Sequence, residues 1–154
     1  MLNSDYKDIL LALSAEKAKF LVVGAYAMAF HGYPRTTMDI DIWVEPSSEN
    51  AEAVMRALAR FGAPVFDLTI DDLKREGTVF LIGVEPQRID IMTGISGVVF
   101  NEAYVQAITR TIDGIDLRII SLDHLTRNKL ASARKKDLAD VEALEKLKDK
   151  LARV

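Results

Sequence analysis

The chain has 154 residues, 49% hydrophobic and 28% charged, which suits a single globular domain over residues 1–154 with a core of its own. The net charge of −3 speaks against a surface coated for nucleic acid; no apolar run approaches the roughly 18–20 residues that cross a bilayer, and the N-terminus lacks a signal-type pattern, so a cytoplasmic protein without membrane contact is expected. With no cysteine and two histidines, disulfides, thiolate centres and histidine-rich zinc sites drop out, and any metal is expected to be a hard cation held by oxygen.

In chain order, Tyr6, Ile9, Leu10 and Leu13 recur at three- and four-residue spacing behind Ser4 and Asp5, which predicts an amphipathic first helix. Phe20–Val23 reads as a short apolar strand running into the alanine-rich Gly24–His31, a short helix stopped by Gly32 and Pro34. Met38–Val44 alternates, with Met38, Ile40, Ile42 and Val44 on one face and Asp39, Asp41 and Trp43 on the other. Pro46 and Ser47 open a helix through Leu58 that Gly62 closes, and a short helix is expected over Ile70–Arg75. Thr78–Gly83 and Arg88–Met92 form a hairpin around Glu85-Pro86-Gln87, its second strand carrying Asp90; Thr109–Ile112 and Ile115–Ile120 form another around Asp113-Gly114. Ser121 caps a helix to about Ala133, and a last helix runs from about Lys135 to Arg153 with a leucine-rich stripe that reads as core or partner surface. The expected fold is α+β: a mixed sheet flanked by helices, with two helices at the C-terminus.

Ionised aspartates on a strand with an apolar opposite face are costly unless something pairs with them. Asp39 and Asp41, two residues apart, project from one face with Cα atoms about 6–7 Å apart. At an effective dielectric near 20 their repulsion is about 2–3 kcal/mol, and a divalent cation would reverse its sign. Asp90, from a neighbouring strand, would supply a third carboxylate; its bland alternative is a salt bridge with Arg88. Gly24, at the end of a strand and the start of a helix, would let backbone N–H groups approach phosphate oxygens, or would merely make a tight turn. Arg35 and Thr37 would contact phosphate or brace the loop set by Pro34. Trp43 would stack on a base or pack in the core. Between Arg118 and Lys136 six cations stand against Asp123 alone, a stretch that would face phosphates or form a solvated helix face.

Val23-Gly-Ala-Tyr-Ala27, Tyr33-Pro-Arg-Thr-Thr-Met-Asp-Ile-Asp-Ile42 and Arg88-Ile-Asp-Ile91 together resemble the minimal nucleotidyltransferases of the DNA polymerase beta-like superfamily. Within it the pattern is similar to the abortive-infection type, several of which occur in toxin–antitoxin systems. That group carries a glycine pair or glycine-serine, an Asp-x-Asp, an Asp-x5-Lys and an Arg-x-x-Asp; the chain offers Gly24-Ala25, Asp39-Ile-Asp41, Asp123 with Lys129, and Arg134-Lys-Lys-Asp137. The resemblance implies Mg2+ or Mn2+ held by Asp39, Asp41 and Asp90, with Asp90 also assisting deprotonation of the attacking hydroxyl. A nucleoside triphosphate, ATP among the candidates, would then be bound by Gly24, Ala25, Arg35, Thr37 and Lys129. Arg134 and Asp137 would be accessory or would pair with each other at helical spacing. The acceptor would be a hydroxyl of a protein, a tRNA or a small molecule, a protein or tRNA being favoured because the short chain offers no obvious second domain to present one; the competing function is a nucleotide- or partner-binding module without turnover. Ala25, where relatives often carry serine or glycine, and Ser132, where a basic or aromatic residue usually follows the lysine, depart from the group.

Overall fold

The computed structural model describes residues 2–33 and 39–153. Helix α1 (Ser4–Ala15) starts one residue sooner than its acidic opening suggests: Asn3 is the cap, its Oδ1 accepting from the Tyr6 N–H at 2.8 Å. Strand β1 (Phe20–Val23) is buried along its length and passes at Gly24 directly into α2 (Gly24–Phe30). Then follow β2 (Ile40–Val44), α3 (Ser48–Phe61), α4 (Ile70–Lys74) and the hairpin of β3 (Val79–Ile82) and β4 (Ile89–Met92). After α5 (Phe100–Gln106) come the hairpin of β5 (Ile108–Ile112) and β6 (Ile115–Ile119) and the helices α6 (Leu122–Ser132) and α7 (Lys135–Ala152).

The caps lie where the sequence puts them: Ser47 accepts from the Asn50 N–H ahead of α3, Gly62 closes that helix at φ 90°, and Ser121 accepts from the His124 N–H ahead of α6. Helix α5 is the element that periodicity leaves unmarked. It is one short segment with no side-chain cap at Val99, too short to hold itself together. Packing makes it: Phe100 and Ala103 are buried, and the Phe100 ring stacks on Tyr104 at 5.4 Å and meets Trp43 edge-on at 5.0 Å.

The six strands form one mixed sheet in the order β3-β4-β2-β1-β6-β5. Central β1 runs antiparallel to β2 and parallel to β6, while β2 runs parallel to β4. Ile40, Ile42 and Val44 of β2 join Ile9, Leu10 and Leu13 of α1 and Val54 and Leu58 of α3 in a core with essentially no solvent exposure. Burial of each such side chain contributes roughly 1.5–3 kcal/mol. The second face of β2 is covered too, since Trp43 is only 1% exposed; packing against Phe100, not base stacking, is its role. Among the described residues no helix is long and apolar enough to cross a membrane.

Candidate nucleotide and cation site

The alternation of β2 sends Asp41 away from the Ile40–Val44 core, and strand register decides what it meets. Asp41 lies opposite Val23 on one side and opposite Asp90 of β4 on the other. Val23 is followed at once by Gly24, whose φ of +66° lies in the left-handed region. A Cβ built on Gly24 would run into the Asp41 carboxylate. Glycine is therefore required here twice over, for its backbone conformation and for the close approach of Asp41.

Asp41 and Asp90 share a hydrogen bond, and the Asp41 carboxyl is pushed up to about 7. Burial is the main cause, followed by the Asp90 charge, the hydrogen bond to Asp90 and the Asp39 charge, with Lys129 opposing. Asp39 and Asp90 have a different partner. The Arg88 guanidinium grips Asp90 with Nε donating to Oδ1 at 2.6 Å and Nη2 to Oδ2 at 3.1 Å, and Nη2 stands 3.5 Å from Asp39 Oδ2. The Arg88 backbone N–H also donates to Asp39 Oδ1 at 2.9 Å. The Asp90–Arg88 salt bridge expected as an alternative thus exists, and it includes Asp39. Among the described residues, no three Asp, Glu, His or Cys side chains are grouped as they would be around a bound ion.

Asp41 opens into a cavity of about 470 Å³ whose wall includes Gly24, Ala25, Lys129, Ser132 and Arg134. That volume falls in the range of ordinary small-ligand sites. Gly24, Ala25 and Lys129, separated by a hundred residues of sequence, are thus brought together beside Asp41. Arg35 and Thr37 lie outside the described residues.

Lys129 is not the solvated lysine that its sequence also allowed. It is 8% exposed, with Nζ 3.3 Å from Asp137 Oδ1 and 3.2 Å from Asp140 Oδ2, both on α7. Asp137 is fully buried and also accepts from Arg134 Nε and Ser132 Oγ, each at 2.7 Å. Burial would raise the Asp137 carboxyl, but the hydrogen bonds from Arg134, Ser132 and Lys129 outweigh it and hold the group well below the usual carboxylate range. Arg134 and Asp137 therefore do pair with each other, and Asp137 supports the cavity wall from behind. Ser132 is part of this network.

Asp123 stands apart. Six residues before Lys129 on α6, it projects to another face and pairs with Lys148 of α7 at 3.0 Å. The basic stretch is likewise divided: Arg118 lies over the Tyr104 ring at 4.3 Å, Lys129 and Arg134 are paired with acids, and Lys136 lines the cavity. His31 is the helix-end residue expected, its Nε2 2.7 Å from the Ile120 carbonyl. Sequence reasoning missed Asp140, although its place three residues after Asp137 puts both on one side of α7. It named Arg88 only as a partner of Asp90, because nothing in the sequence joins Arg88 to Asp39.

The sequence matches, over residues 2–153, the model of a family described as nucleotidyl transferases of unknown function (DUF2204). No curated protein matches it. Its fold is similar to the crystal structure of a protein from Thermotoga maritima assigned as a nucleotidyltransferase, with a TM-score of 0.60 and 20% identity over 100% of this chain and 97% of the other.

Proposed function

The chain belongs to the nucleotidyl transferase family, and on that premise we propose that it transfers a nucleoside monophosphate from a nucleoside triphosphate to a hydroxyl acceptor with Mg2+ or Mn2+ held by Asp39, Asp41 and Asp90. The observation that carries this is the register: Asp41, which lines the cavity together with Gly24 and Lys129, is paired across adjacent strands with Asp90. The proposed donors are all carboxylate, the chemistry of a hard cation, and the burial and neighbouring Asp90 and Asp39 charges that raise the Asp41 pKa are what a cation there would offset. When bound, the cation neutralises phosphate charge and acidifies the attacking hydroxyl.

The chain's own groups do the rest. Gly24 and Ala25 present backbone to the triphosphate, Lys129 contributes a fixed ammonium, and Asp90 takes the acceptor proton. As the acceptor oxygen bonds to the α-phosphorus, the bond to the bridging oxygen breaks and pyrophosphate leaves. ATP is the triphosphate to try first. Val79 and Leu81, each more than half exposed on edge strand β3 and opposite Met92 and Asp90, suit a protein or tRNA acceptor better than a small polar one. The site pattern of the abortive-infection group supports a place in a toxin–antitoxin pair in the cytoplasm.

The test is incubation with each α-32P-labelled nucleoside triphosphate, Mg2+ and cell lysate. Label is expected to enter a protein or tRNA with wild type and to be absent with Asp41→Asn or EDTA. Nucleotide binding without transfer would instead make the chain a binding module, and transfer unaffected by Asp41→Asn would overturn the site.

A further inference from the structure

Asp39 immediately precedes β2, Asp41 lies on it and Asp90 lies opposite on β4, and among the described residues the guanidinium paired with Asp39 and Asp90 is that of Arg88. Among the described residues, Arg88 is the partner of every ion pair that Asp39 and Asp90 make. Its fork uses both oxygens of Asp90, at 2.6 and 3.1 Å, while backbone and side chain together reach both oxygens of Asp39. Geometry of this kind is the strongest form of arginine–carboxylate pairing. The three side chains are mostly covered, with Arg88 24%, Asp39 18% and Asp90 12% exposed, so the contact is weakly screened. Arg88 therefore holds the cluster together much as a cation would. A dication in contact with Asp90 would face a guanidinium at short range, and like charges there repel.

Arg88 also has a second partner. Its Nη1 donates to Glu85 Oε1 at 3.0 Å, and Glu85 is 68% exposed, on the solvent side of the β3–β4 turn. The guanidinium can give up Asp90 without losing all its compensation.

We propose that Arg88 is the built-in counterion of the carboxylate cluster, holding Asp39 and Asp90 until a divalent cation takes its place while Glu85 receives the displaced guanidinium. This rests on the cation site proposed above. Arg88 then makes cation binding and exposure of Asp90 a single event, and it lets the fold tolerate three clustered carboxylates in the absence of metal. The two neighbours of Arg88 act with opposite sign: Arg88 competes with the cation, and Glu85 assists it by stabilising the displaced arginine.

Calorimetric titration of the full chain with Mn2+ alone, without nucleotide, reads this directly. Arg88→Ala is expected to bind Mn2+ tighter by about tenfold or more, since one competing charge at contact distance is gone. It should also melt lower than wild type without metal and regain the difference when Mn2+ is added. Glu85→Ala, at an exposed position, should bind Mn2+ more weakly, and that loss should vanish when Arg88→Ala is already present. Unchanged or weaker Mn2+ binding by folded Arg88→Ala would overturn the proposal. If Arg88→Ala does not fold, the outcome with Glu85→Ala decides, and unchanged affinity there overturns it. Wild-type Mn2+ binding that Asp41→Asn abolishes, together with no tightening in Arg88→Ala, would refute the counterion role and leave the cation site standing. Failure of wild type to bind Mn2+ would remove both.

Discussion

Asp41 carries a pKa of about 7 in the fold against 3.8 in its ordinary setting, so between those values the folded chain holds a proton that the unfolded chain has lost. An acid raised in this way contributes stability below the unfolded pKa and loses it as pH rises through the folded one. In metal-free protein the wild type should therefore lose roughly 2.5 kcal/mol relative to Asp41→Asn between pH 5 and pH 8. Urea unfolding of both proteins across that range checks the difference, in which titrating groups remote from Asp41 cancel; a constant difference would mean that Asp41 is ionised throughout. Lys129 makes a second expectation at this scale. Because its ammonium lies between two α7 carboxylates, one of them wholly buried, Lys129→Ala should cost about 3 kcal/mol. An unchanged urea midpoint would place the ammonium outside that network. The sequence supplied Asp39, Asp41, Asp90 and Lys129 as residue types in order. Their partners were hidden because the pairings of Arg88 with Asp39 and of Lys129 with Asp140 depend on how separate segments pack.

Between elements, the junction of α6 and α7 carries the most consequence for the site. Helix α6 ends at Ala133 with φ at +55°, a conformation in which a Cβ is crowded. That break lets the chain turn so that Asp137 and Asp140 come back beside Lys129 one helix earlier. Relief of the crowding exceeds the entropic cost of glycine, so Ala133→Gly should stabilise the protein by about 0.5–1 kcal/mol. Chemical denaturation measures it, and a clear destabilisation would mean that the left-handed residue does not end α6. The break itself was legible, with Ser121 capping the first helix and Lys135 opening the second. So were the two hairpins and the alternating β2, where Gly, Pro and strict period-two patterning agree. Helix α5 was not, since neither cap nor periodicity marks it and aromatic packing against Trp43 forms it.

At the level of the whole molecule, a mixed sheet converts distant sequence into a local site. Parallel pairing of β2 with β4 sets Asp41 against Asp90, and the passage from β1 to α2 sets Gly24 under Asp41. The α6–α7 pair then closes the cavity from the other side with Lys129. The α+β class and the mixed sheet could be read from element order; the strand order could not, because both parallel pairings join strands far apart in the chain. The central claim is that Asp39, Asp41 and Asp90 hold a cation against a triphosphate lying in this cavity. Its most direct measurement is a crystal structure with Mn2+ and a nucleoside triphosphate analogue whose α–β bridge is methylene, read by manganese anomalous scattering. The anomalous peak is expected between the Asp41 and Asp90 carboxylates with the phosphates running toward Lys129. A nucleotide bound elsewhere, or in this cavity with no manganese at Asp41, would contradict it.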